Sequence, residues 1–596
     1  MNQFNISIFF ICLFTCFQTI LASPIVQHPL NVVNQTTKYT GTKASTDDKK
    51  VGLAKLWSQL EAERPVKIPN ITTVPDAPLY IPLGPDPQRQ TMFTSHSTLS
   101  SKSDYLKFSK EFLYGVASSA PQSEGAVMED GRGPSIWDSF AHLTNILPEE
   151  DRDAFDIGTN FRYLYTLDIA RVKAMGMKAF SFSISWSRVM PMGYGEINMK
   201  GMQFYIDLVE EIRRQGLEPI ATLFHWDLPL QLEVHYGGFR DEQIVDDFTV
   251  YAEAMFKALG KHVDKWITFN EPQSFCIARY PFLSLHIHKN DSSSNAAALL
   301  WQCAGHILKA HGKTYEIFKT LKEKGAYLNK KSAMISYKNA GGHSVLYRDG
   351  NKNDQKARER VQDFYFGLFA EPIYLTGQYP GIIRDEIPKG WLPIITDEDR
   401  KRIKGSADFM ATDFFSSRIT KSTERQGGFE KCVGNITHIA WPACTDFTDT
   451  LSDGTLIGER SDKSTEKWLM NTAGQLRDHL RCLAERYPTK NGIYITEIGW
   501  AERGESEKTS LADIRHDDGR QRYLRDHLAE MLWSIYKDGT PLKGILFWSA
   551  TSAIEWEQGR TPKFGLQSID YSSANLTRTY LGSFFFLKHF FEQHVR

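Results

Sequence analysis

From residue 112 onward, short apolar runs bounded by turn residues alternate with longer stretches whose apolar positions recur every three or four residues. The runs are FLYGVASSA (112–120), AFSFSISW (179–186), EPIATLFHW (218–226), KWITFNEP (265–272), SAMISYKNA (332–340), DFMATDFF (408–415), GIYITEIGW (492–500) and GILFWSA (544–550). Runs of this length suit strands buried on both faces. The stretches between them, such as FYIDLVEEIRRQG (204–216), DDFTVYAEAMFKALG (246–260), AGHILKAHGKTYEIFKTLKEKG (304–325) and RYLRDHLAEMLWSIYKDG (522–539), suit amphipathic helices. Repeated strand and helix predict an α/β fold, a (β/α)8 TIM barrel with long βα-loop insertions, because the body at 106–596 exceeds the roughly 250 residues typical of that fold. A doubly wound open sheet shares the periodicity, but no glycine-rich phosphate loop follows the first run.

In such a barrel, ligands bind where the strands end. The first run ends near Gln122, the third on His225 and Trp226, and the fourth on Asn270 and Glu271. The seventh delivers Glu497, and the eighth ends on Trp548 and leads to Glu555 and Trp556. Indole faces stack on the C–H surfaces of sugars, while amides, imidazole and carboxylates bond hydroxyls, so this ring suits a polyhydroxylated ligand. Two carboxylates flanking one sugar are the minimum for glycoside hydrolysis: one protonated for the leaving oxygen, one ionised to attack. Taken singly, each of these residues reads as a solvated turn or a satisfied core group; their convergence on strand ends makes the case.

The rest of the chain narrows the setting. A net charge of −1 gives no reason to invoke nucleic acid or an anionic membrane as partner. An apolar stretch from Ile6 to Ala22 reads as a secretory signal peptide cleaved near Ala22. No integral membrane span is expected thereafter, and localisation is expected to be secreted or in the secretory-pathway lumen. Sequons at Asn34, Asn70, Asn290, Asn435 and Asn575 agree with a glycoprotein. Residues 23–105, rich in Thr, Ser, Pro and Lys, are expected to be largely extended or disordered, with one helical stretch at 55–63. Cys432 and Cys444 flank a short loop and are the favoured disulfide; Cys276, Cys303 and Cys482 leave the pairing open, with an odd thiol over. No C-x-x-C or H-x-x-x-H spacing suggests a metal, and no cofactor is expected.

From about residue 108 to 590 the chain resembles glycoside hydrolase family 1, which includes β-glucosidases, lactase-type enzymes, myrosinases and the Klotho proteins. The matching phrases are SAPQSEGA (119–126), GRGPSIWDSF (131–140), FSISWSRVMPMG (182–193), TLFHWDLP (222–229), YGGF (236–239), TFNEP (268–272), YITEIG (494–499) and WSATSAIEWEQG (548–559). The resemblance implies that Glu271 is the acid/base and Glu497 the nucleophile of a retaining mechanism. It also implies that Gln122, His225, Trp226, Asn270, Trp548, Glu555 and Trp556 hold the sugar.

The departures from that family cluster around Glu497. Ser181 stands where the family has an arginine facing the nucleophile, and Asp413 replaces an asparagine. Phe415 replaces a tyrosine whose hydroxyl reaches the nucleophile, and Ile498 replaces an asparagine. Losing a cation and a phenol donor predicts a raised pKa and a looser aim for Glu497. The expected function is a retaining β-glycosidase of β-glucosidase type acting on a small-molecule glycoside, with reduced or altered activity. The alternatives are a catalytically impaired sugar- or protein-binding pseudoenzyme of the Klotho kind, and a transglycosidase.

Overall fold

The computed structural model describes residues 46–61, 64–76, 78, 83, 105–288, 295–327, 331–423, 432–436, 438, 440–461 and 468–596. The predicted leader at 6–22, with Cys12 and Cys16, and the sequons Asn34 and Asn290 lie outside the described residues.

The apolar runs form a nine-stranded parallel sheet. In chain order its strands are Leu113–Ala117, Ala179–Ser183, Glu218–Phe224, Lys265–Phe269, Met334–Ser336, Lys338–Ala340, Met410–Asp413, Ile493–Ile498 and Leu542–Trp548. Met334–Ser336 and Lys338–Ala340 are two halves of the fifth predicted run, interrupted at Tyr337. The first half pairs with the fourth strand and the second half with the sixth, so the sheet closes on itself through that interruption. The first and eighth strands pair from Leu113 against Gly544 to Ala117 against Trp548. This is the expected (β/α)8 barrel. Gly115 is required where the first two strands meet, because a Cβ there would lie 2.3 Å from the Ala179 carbonyl oxygen.

The helices form where the periodic patterns placed them, and each buries one stripe. Gln243–Leu259 buries Ile244, Val245, Phe248, Tyr251, Ala252, Met255, Phe256 and Leu259, a repeat of three and four that faces the sheet. Loop insertions after the fifth and sixth strands add an outer sheet of Ser344–Leu346, Arg418–Lys421 and Asp446–Thr448. Disulfides join Cys432 to Cys444 and Cys276 to Cys303, leaving Cys482 as the free thiol among the described residues. The second bridge ties the loop after Glu271 to the long helix Ala296–Glu323.

One difference from expectation lies at the N-terminal side. The helix there spans Thr46–Glu61, longer than 55–63, and it is docked on the barrel. Leu60 is fully buried, and Trp57 donates from Nε1 to the Arg132 carbonyl at 3.0 Å. Beyond it, the Lys67 backbone N–H bonds Asp156, while Asn160 and Thr166 donate to the carbonyls of Ile71 and Pro75. Composition suggested free chain because polar residues dominate; two large apolar side chains and these backbone bonds suffice to fix a strap. No helix among the described residues is long and apolar enough to cross a membrane.

Candidate active site

All nine residues singled out at the strand ends line one cavity of about 280 Å3 at the C-terminal mouth of the barrel. Three of them reach it through backbone conformations that side chains seldom adopt: φ is +74° at Trp226, +40° at Glu271 and +47° at Trp556. Such left-handed residues cost on the order of 1–3 kcal/mol each and recur where a fold must aim a group. Trp226 and Trp556 stack with centroids 4.5 Å apart, and His225 lies nearly parallel to both Trp548 and Trp556. Behind them Trp137 packs against Trp556 at 4.7 Å, so the aromatic wall is braced from the core.

The amides are held as firmly. Gln122 accepts from the Ser119 hydroxyl at 2.6 Å and donates to the Ile554 carbonyl at 2.7 Å, which links the first and last loops of the barrel. Asn270 donates from its side chain to His225 Nε2 at 3.3 Å, and its backbone carbonyl accepts from Trp226 Nε1 at 2.9 Å. Burial, helped by the positive charge of Lys338, holds His225 far below the usual imidazole range, so it is neutral, with Nε2 as acceptor. The Asn270 Oδ1 atom is buried without a protein partner, an acceptor suited to a ligand hydroxyl.

Glu271 and Glu497 converge. One oxygen from each, together with one from Asp413, falls within 4.8 Å of the others. Asp413 is opposite Glu497 across the sixth and seventh strands, at an irregularity in their register. Its Oδ1 accepts from the Thr496 hydroxyl at 2.6 Å, and its Oδ2 is buried without a protein partner. Three buried carboxylates this close cannot all be ionised. Burial, then repulsion from Glu497, pushes Glu271 up to about 8 and holds Asp413 well above the carboxylate range. Glu271 therefore keeps a proton at neutral pH.

Glu497 has a cation. The Lys338 ammonium, only 2% exposed, donates to Glu497 Oε1 at 2.6 Å. Burial raises the Glu497 carboxyl above its ordinary value and Lys338 offsets only part of that; burial alone would strip charge from Lys338, but Glu497 and Asp413 outweigh that and raise it. The arrangement sets a protonated Glu271 and a lysine-paired Glu497, with Asp413 beside them, across a space lined by indoles and hydrogen-bonding groups.

A model of the family described as glycosyl hydrolase family 1 matches residues 104–595. The chain belongs to glycosyl hydrolase family 1. It is a glycoside hydrolase, and its curated relatives include Beta-glucosidase 34 of Oryza sativa subsp. japonica, 34% identical over 476 residues that cover 78% of this chain and 89% of that protein. Among solved structures, a family 1 β-glucosidase from the fungus Humicola insolens in complex with glucose superposes with a TM-score of 0.74 at 31% identity, covering 82% of this chain and 99% of that one. A mutant rice β-glucosidase in a covalent complex with Glc superposes at 0.72 and 30% identity, covering 81% and 99%.

Membership in the family makes the changes around Glu497 readable. Ser181 is buried on the second strand, and its short side chain carries no charge. Phe415 contributes no hydroxyl; its ring meets Trp468 and Phe564 edge-on at the cavity wall. The cavity also takes in Tyr365 and Phe447, making one side of its mouth aromatic. Beside that side, Arg279 pairs with Glu557 at 3.2 Å. Sequence reasoning missed Lys338 and this aromatic side. Lys338 sits in an apolar run at a position that faces into the barrel, and a lysine there was the available signal.

Proposed function

We propose that this enzyme is a retaining β-glucosidase that cleaves β-glucosides bearing an aromatic or otherwise apolar aglycone. The observation that carries the reading is the pair Glu271 and Glu497, with oxygens within 4.8 Å of each other in one sugar-sized cavity. Retaining enzymes hold their carboxyls roughly 5–5.5 Å apart, too close to admit a water between carboxylate and sugar. The covalent Glc complex of the rice relative is in keeping with this.

In the first step the Glu497 carboxylate attacks the anomeric carbon through Oε2, since Oε1 is taken by Lys338. The bond to the aglycone oxygen breaks and that oxygen receives the proton of Glu271. In the second step Glu271, now ionised, takes a proton from water, whose oxygen displaces Glu497 and releases the sugar. His225, Asn270, Gln122 and Glu555 bond the hydroxyls, and Trp548 and Trp556 stack on the ring. The aromatic side formed by Tyr365, Phe415, Phe447, Trp468 and Phe564 receives the aglycone.

An aryl β-glucoside assay tests this, with Glu271→Gln and Glu497→Gln alongside. The reading requires turnover that both variants abolish. Saturable binding with no turnover would support the pseudoenzyme instead, for which the changed shell at Ser181, Asp413 and Phe415 speaks. Glycosylated acceptor alcohol in place of free glucose would support a transglycosidase. We assign the enzyme to the secretory pathway: the leader, the disulfides and the exposed sequon residues Asn70, Asn435 and Asn575 support that placement.

A further inference from the structure

Glu497 lies in a family site stripped of its usual arginine and phenol, yet it is neither unpaired nor loose. We propose that Lys338 is the positioning residue for Glu497, a cation delivered from the fifth barrel strand in place of the arginine that the family takes from the second. This rests on the proposed role of Glu497 as nucleophile.

Three observations carry it. The ammonium lies 2.6 Å from Glu497 Oε1 and both side chains are almost fully buried, so water neither screens nor competes with the contact. The pair is built into the sheet: Lys338 is held against Ala411 of the sixth strand, and Glu497 is held against Asp413 two residues further along that strand. Lys338 also holds the main chain of the other acid, since its backbone carbonyl accepts the Glu271 N–H at 3.1 Å. One residue thus sets the position of both groups, by its side chain for Glu497 and by its main chain for Glu271.

The charge count agrees. The titratable groups facing this cluster are Glu271, Asp413, Glu497, Lys338 and His225, with Arg279 further out. Burial lowers His225 and raises Glu271 and Asp413, directions that leave Lys338 as the cation facing Glu497. A lysine bonds one oxygen as a point charge where a guanidinium could bridge two, so it leaves Oε2 unencumbered for attack.

The test uses Lys338→Met, which keeps length and removes charge, and Lys338→Arg, which keeps charge. Hydrolysis of an aryl glucoside is followed across pH. Lys338→Met is expected to lower kcat/KM by about 100-fold, the loss seen when a preorganised charge-stabilising donor is deleted. It should also move the acidic limb to higher pH, because Glu497 then protonates sooner. Lys338→Arg should restore that limb toward the wild-type position. An acidic limb unmoved in Lys338→Met overturns the proposal while leaving the hydrolase reading intact. A melting series decides the pairing without turnover. Glu497→Gln strands a buried ammonium and should lower Tm, and adding Lys338→Met should recover part of the loss; two additive losses overturn the coupling. A wild-type chain that hydrolyses no glucoside overturns the proposed function, and the melting series then judges the pair alone.

Discussion

Replacing Glu271 by glutamine should stabilise the fold, and by an amount that grows with pH. The folded carboxyl titrates at about 8, against 4.5 when free, because burial and the nearby Glu497 disfavour its charge. Between those two values the folded chain keeps a proton that the unfolded chain has lost. Unfolding then releases a proton, so stability falls as pH rises through this window. Each pH unit within it is worth about 1.36 kcal/mol. From pH 5 to pH 7 the wild type should therefore lose roughly 2–3 kcal/mol that a non-titrating glutamine does not, after allowing for the part of the unfolded-state titration still incomplete at pH 5. Parallel urea unfolding of wild type and Glu271→Gln at pH 5, 6 and 7, followed by tryptophan fluorescence, measures the difference directly. A gap that widens with pH supports a proton held on Glu271. A gap that stays constant, or narrows, refutes it and with it the assignment of Glu271 as the resident acid.

Other consequences can be checked separately. Hydrolysis requires Glu271 protonated and Glu497 ionised, so kcat/KM should trace a bell whose basic limb falls near 8; a profile flat through pH 9 contradicts the assignment. Gly499→Ala places a Cβ 2.1 Å from the Trp548 carbonyl oxygen, prying the seventh strand from the eighth just beyond Glu497. It should cost roughly 1–3 kcal/mol of stability and lower kcat/KM, and a variant matching the wild type in both would show that this contact relaxes freely. Leu60→Ala should weaken docking of the N-terminal strap by roughly 2–5 kcal/mol, seen as faster amide exchange in residues 51–61 with the barrel unchanged. Exchange unchanged along that segment would mean Leu60 does not anchor it.

Most of the barrel was legible because strands buried on both faces must be short and apolar, and GIYITEIGW or EPIATLFHW can be little else. The ring of strand ends followed from topology alone, and so did the meeting of Glu271 with Glu497. What escaped notice depended on pairing across the closed sheet. Lys338 and Glu497 are 159 positions apart, and only the break at Tyr337, which lets one run pair with both neighbours, turns the lysine toward the carboxylate. Read in isolation, Ser181 on the second strand implied that Glu497 lacks a cation; Lys338 meets it from the fifth strand. The strap was missed for a different reason. Its average composition is polar, and docking rests on a few residues, Trp57 and Leu60 foremost, rather than on a periodic face.

The proposed mechanism requires Glu497 to be the group that bonds the sugar. Incubation with a 2-deoxy-2-fluoro-β-glucoside carrying a good leaving group, followed by peptide mass mapping, tests this directly, since the fluorine slows the second step more than the first and lets the glycosyl-enzyme accumulate. The expected result is a single fluoroglucosyl adduct on the peptide bearing Glu497, absent in Glu497→Gln. An adduct on Asp413, or none from a protein that still releases the aglycone from an unmodified glucoside, would contradict it.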